Sequence, residues 1–70
     1  MSVLFSIVVE QEVDGRWIAE VVELPGVLAY GASQDEAVAR AQALALRVIA
    51  DRLENDEVGR EFLNITFNAA

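Results

Sequence analysis

The alternation of apolar and polar positions along the chain predicts five elements in the order β-β-β-α-β. From Val3 to Glu10, Val3, Phe5, Ile7 and Val9 fall on one side of an extended segment and Leu4, Ser6, Val8 and Glu10 on the other. This is the period of a strand with one wholly apolar face. Asp14-Gly15 follows, the strongest short-range hairpin signal, and predicts a two-residue turn with positive φ. A second strand returns over Arg16 to Glu23, with Trp17, Ala19, Val21 and Glu23 on one face and Arg16, Ile18, Glu20 and Val22 on the other. At Leu24-Pro25-Gly26 the proline presets φ for the first central position of a turn, and the glycine supplies the positive φ that a type II turn needs at the second. Val27 to Tyr30 is the third strand.

Ser33 and Glu36 form a capping box ahead of a helix: the hydroxyl takes the Glu36 N–H and the carboxylate reaches back to the Ser33 N–H. No Gly or Pro interrupts Gln34 to Glu54, so the helix runs to about Glu54. At 100° per residue, Ala37, Val38, Ala41, Leu44, Ala45, Val48 and Ile49 share one face, with Arg40, Arg47, Asp51 and Glu54 opposite. The alanines at 37, 41, 43 and 45 make the helix thin. Leu46 and Leu53 lie outside the main stripe, as edge core in the first reading or as a partner contact in the second. Asn55 to Arg60 reads as a polar turn, and alternation over Phe62 to Phe67 gives a fourth strand.

A strand reached through a helix is parallel to its neighbour by a right-handed crossover, and the simplest way to bury it is beside the first strand. The expected architecture is therefore a single α+β domain over residues 1–70. It is a four-stranded, mainly antiparallel sheet in the order 3-2-1-4 with one helix on one face. The other face, carrying Leu4, Val8, Ile18 and Val22, has nothing left in the chain to cover it. An apolar sheet face of that kind marks an interface. Self-association as a homodimer or higher homo-oligomer is the first reading, and a protein partner is a compatible alternative.

Composition narrows the chemistry. Seventy residues bury only about 60 % of the unfolded surface, so the stability margin is thin. With no Cys there is no disulfide, thiolate nucleophile or sulfur-ligated zinc, and with no His the commonest general base is absent. The formal charge is −7, and seven of the twelve acids precede residue 37, with Arg16 the lone cation among them. That field repels a phosphate backbone and steers a basic protein. Asp51, Glu54, Asp56 and Glu57 near the helix end read as a solvated acidic turn in preference to a cation site. No cofactor and no membrane or secretory segment is expected, which fits a soluble, cytoplasmic protein. Trp17 and Tyr30 pair aromatic area with a polar handle, a combination enriched at the centres of protein interfaces. Packing of Trp17 over the hairpin is the equal alternative.

Taken together, Val9-Glu10, Asp14-Gly15-Arg16-Trp17-Ile18-Ala19, Glu23-Leu24-Pro25-Gly26-Val27, Tyr30-Gly31-Ala32-Ser33 and Glu36-Ala37 resemble the HicB family of type II antitoxins, from about Phe5 to Leu53. The resemblance implies a partial RNase H-like β-β-β-α-β domain. It also implies a function: binding a small basic HicA-type toxin, an mRNA interferase, and masking its active site. Family members commonly add a C-terminal DNA-binding domain, for which a chain ending at Ala70 has no room. Active RNase H enzymes hold metal ions with acids on and beside the first strand, and Val3 to Val9 contains none. The leading expectation is thus a non-enzymatic antitoxin-type protein with Glu10, Trp17, Glu20, Glu23 and Tyr30 as partner contacts and no direct nucleic-acid binding. The alternative is an orphan homo-oligomeric binding module. A carboxylate-based metal enzyme is a distant third.

Overall fold

The computed structural model describes residues 3–55 and 64–69. Its elements are β1 (Val3–Gln11), β2 (Trp17–Val21), β3 (Leu28–Gly31), α1 (Gln34–Glu54) and β4 (Ile65–Ala69). The strands form one sheet in the order β3-β2-β1-β4. β2 runs antiparallel to β1 and to β3, and β4 runs parallel to β1 with Val3 opposite Ile65 and Phe5 opposite Phe67. The expected α+β topology is thus the one observed. The expected turn over Asn55 to Arg60 and the start of the last strand at Phe62 and Leu63 lie, beyond Asn55, outside the described residues.

Alternation decides the layers. Phe5, Ile7, Ala19 and Val21 are buried under α1, together with Leu24 and Val27 from the β2–β3 connection and Ala37, Ala41, Ala45 and Ile49 from the helix. The Phe5 and Phe67 rings stack with centroids 5.6 Å apart, tying the parallel strand to the core. Three of the four buried helix positions are alanine, so the helix backbone comes close to the sheet. Gly31 marks the closest approach: a Cβ placed there meets the Ala37 nitrogen at 2.5 Å.

Both turns show why glycine is needed. Gly26 has φ 85°, and the Val27 N–H donates to the Leu24 carbonyl at 3.0 Å, closing the expected turn around Pro25-Gly26. The first hairpin departs from expectation. The Gly15 N–H donates to the Glu12 carbonyl, so Val13 and Asp14 are the central residues of the turn, and Gly15 follows in the left-handed region with φ 93°. The loop therefore has three residues, the arrangement in which a tight turn is followed by a left-handed glycine. Asp14 stays useful in it: its carboxylate accepts from the Arg16 N–H at 3.1 Å and from Arg16 Nε at 2.8 Å.

The helix start is also corrected in one detail. Ser33 Oγ accepts from the Glu36 N–H at 3.1 Å, but the Glu36 carboxylate reaches one residue further back, to the Ala32 N–H at 3.2 Å. Arg40 pairs with that carboxylate at 3.1 Å and also donates to the Tyr30 carbonyl at 3.1 Å, capping a hydrogen-bonding group of edge strand β3. At the far end the Asn55 amide group donates to the Asp51 carbonyl at 2.8 Å and closes the last turn. Leu46 and Leu53 are exposed, at 49 % and 40 %, so the edge-core reading of them does not hold. They lie about 120° and 100° around the helix from the middle of the buried stripe, too far to reach the sheet.

Candidate functional site

Beneath the helix the sheet is covered, and above it lies an open face. β1 contributes Leu4, Ser6, Val8 and Glu10, β2 Ile18 and Glu20, β3 Leu28 and Tyr30, and β4 Thr66 and Asn68. The register brings Val8, Glu20 and Leu28 into one row across three strands, and Glu10, Ile18 and Tyr30 into the next. Cross-strand neighbours of this kind touch. Four large apolar side chains of this face are well exposed, Leu4 and Val8 by half or more, and Leu28 and Tyr30 by nearly two-fifths. Val22, just past β2, donates its N–H to the Ser6 carbonyl and is 53 % exposed.

The rows enclose a shallow concavity of about 170 Å³, walled by Val8, Ile18 and Leu28 and edged by Glu10, Glu12 and Glu20. Among the described residues none of these three carboxylates is in an ion pair; the pairs are Arg16 with Asp14 and Arg40 with Glu36. A cation does reach the margin of the face. The Arg16 guanidinium stands 4.6 Å from the centre of the Tyr30 ring while Asp14 holds its Nε. The face thus combines apolar area, at its centre, with an excess of negative charge.

Of the residues expected to contact a partner, Glu10, Glu20 and Tyr30 share this surface. Trp17 does not: it pairs with Gln11 and Gly31, and its half-buried ring packs against the core under the helix. Glu23 has a local duty. Its carboxylate accepts the Ser6 N–H at 2.8 Å just beyond the end of β2, in the position a ladder carbonyl would take. That bond holds the Glu23 carboxyl below its ordinary range, as the Arg16 N–H does for Asp14. Glu12 and Leu28 complete the concavity and were not singled out from the sequence. Their signal was positional, since each continues the even-numbered face of its strand.

The concavity offers apolar contact area bordered by carboxylates. Among the described residues no group of three or more acids is placed to hold a metal ion, and Asp51 is engaged by Asn55 at the helix end. Asp56 and Glu57 lie outside the described residues. Among the described residues no helix is long and apolar enough to cross a membrane. No family model, curated protein or solved structure matches this chain.

Proposed function

We propose that this chain is a non-enzymatic, HicB-like antitoxin-type protein that binds a small basic HicA-type mRNA interferase and neutralises it by covering its active site. The observation carrying this reading is the surplus of unpaired carboxylate around an apolar concavity. Glu10, Glu12 and Glu20 border one concavity and lie outside the ion pairs of the described residues. Such a surface attracts a cationic protein from a distance and then desolvates against it. The charges set the encounter rate and the aliphatic side chains hold the complex. A net charge of −7 on 70 residues strengthens the steering and opposes contact with RNA phosphates.

The test is co-expression with the product of an adjacent gene encoding a small, Lys- and Arg-rich, His-containing protein. Growth arrest and RNA cleavage by that protein alone, both relieved by this chain with a stoichiometric complex on purification, is the expected result. Undiminished RNA cleavage in the presence of excess chain refutes the proposal. Association should also slow as salt rises, and a salt-independent on-rate removes the steering component.

A second reading, an orphan homo-oligomeric module, draws on a different observation. Leu46 and Leu53 are exposed seven positions apart on one side of α1. Sedimentation that shows a dimer lost on Leu46→Glu supports this reading; a monomer at all concentrations removes it.

A further inference from the structure

We infer that the open face of the sheet is the docking surface for a cationic partner and is closed to a second copy of this chain. The inference rests on the basic partner proposed above and adds where it sits and why the chain does not occupy the site itself. The apolar content alone would suit either occupant. Leu4, Val8, Leu28 and Tyr30 account for four of the eight large apolar side chains exposed among the described residues, and Val22 stands beside Ser6.

Charge separates the two. Glu20 sits on interior strand β2, in the middle of its row, with Val8 on one side and Leu28 on the other. In a symmetric sheet-on-sheet dimer packed over these rows, the Glu20 carboxylates of both copies enter one dry layer with Glu10 and Glu12 beside them. Two of the described cations lie near this face, and both are engaged. Arg16 is at the margin, over Tyr30 and tied to Asp14, and Arg40 is tied to Glu36 and to the Tyr30 carbonyl. Desolvated like charges facing each other are strongly unfavourable. A partner that brings Arg or Lys to the same place turns that penalty into a desolvated opposite-charge contact, with Val8, Ile18 and Leu28 shielding it from water. The partner surface this fits carries aliphatic side chains around one or two cationic ones.

The test uses a defined probe and the full isotopically labelled chain. An octapeptide of alternating Arg and Leu, blocked at both ends, is titrated in while backbone amide shifts are followed; a control peptide carries Glu in place of each Arg. The expected result is shift changes gathered at Val8, Ile18, Glu20 and Leu28, none with the control, and affinity lowered at least about tenfold by Glu20→Lys and less by Glu20→Gln. On dilution of the peptide-free protein the same amides stay constant in the native chain, whereas Glu20→Val makes them concentration-dependent. Native-chain amides of this face that move on dilution overturn the inference. So does a peptide that maps to the helix or to β4, or a Glu20→Lys chain that binds as tightly as the native one. A peptide that maps to the open face although no adjacent-gene toxin binds leaves this inference standing and removes the antitoxin proposal.

Discussion

Gly31→Ala should be the most damaging single-methyl change in this protein. Gly31 is buried on β3 opposite Trp17, at the point where the strand passes under the first turn of α1. An added Cβ lies 2.5 Å from the Ala37 nitrogen and 3.0 Å from Ala37 Cα and Glu36 C, all backbone atoms. Ordinary contact begins near 3.4 Å, so the helix start must retreat by about 0.9 Å. It cannot do so alone. The Ala37 N–H is bonded to the Ser33 carbonyl at 3.0 Å, and the same turn carries the Ser33–Glu36 cap. Overpacking of this kind costs about 1–3 kcal/mol, and loosening the cap adds up to about 1 kcal/mol. The reduced freedom of the unfolded chain returns about 0.4–1 kcal/mol. The net expectation is a loss of about 2 kcal/mol from a total of roughly 4–10 kcal/mol for a chain of this length. Thermal unfolding followed by far-ultraviolet circular dichroism should show Tm lower by roughly 8–16 °C, with urea titration giving the free energy directly. Gly26→Ala is the contrasting control. Nothing lies within 4 Å of a Cβ there, but φ is 85°, so its cost is conformational and Gly26→Asn should recover part of it. Gly31→Asn should recover nothing. A Gly31→Ala protein within about 0.5 kcal/mol of the native one would refute the close-approach argument.

Three other changes probe separate parts of the fold. Ser33→Ala removes the oxygen that accepts the Glu36 N–H and should lower stability by about 1 kcal/mol in urea titration, with Ser33→Asp largely restoring it. Ala41→Leu places a large side chain between helix and sheet and should cost about 1–3 kcal/mol, whereas Ala43→Leu on the exposed side should be near neutral. Glu23 has a folded-state pKa below its ordinary 4.5 because its carboxylate accepts the Ser6 N–H. Its contribution is complete above the unfolded-state pKa and is lost as pH falls through the lowered folded value. The stability difference between native protein and Glu23→Gln should therefore shrink on acidification from pH 6 through pH 4 and below, and a difference constant with pH would exclude the bond as its source.

The span of the helix and the apolar side of each strand were legible in the sequence because each depends on local periodicity and turn chemistry, and the order of strands because a crossover through a helix restricts where the last strand lies. Ala37, Ala41, Ala45 and Ile49 repeat every four residues and are the buried stripe. The errors arise where a local rule meets a geometric choice it does not contain. Asp-Gly signals a left-handed residue, yet whether one or two residues precede it depends on how β1 and β2 register, and here Val13 joins the loop. A capping Glu reaches back to a backbone N–H, but the spacing of residues does not say which one, and here it is that of Ala32. Trp17 is a contact candidate for its aromatic ring with a polar handle, and odd and even positions of β2 face opposite ways. Parity, once the helix side is fixed, puts it on the covered side, where it packs half-buried against the core.

Position 20 shows how the sheet's two faces are used differently. Glutamate is depleted in strands, and a β-branched residue between Val8 and Leu28 would pack better against both neighbours. Local departures of this sort concentrate where a protein meets something else. Glu20→Val should therefore raise the stability of the isolated domain, by about 0.2–1 kcal/mol in urea titration at dilute concentration. It should also make a continuous apolar row across β1, β2 and β3, so that the protein self-associates as its concentration rises. Glu10→Val, at the end of the neighbouring row beside Ile18, should do so more weakly because it leaves the central charge in place. If Glu20→Val gains stability and stays monomeric, the carboxylate has no role in keeping copies apart, and the face owes its solubility to something other than Glu20. If it gains stability and associates, one residue both holds the chain back from itself and leaves the face open to a cation.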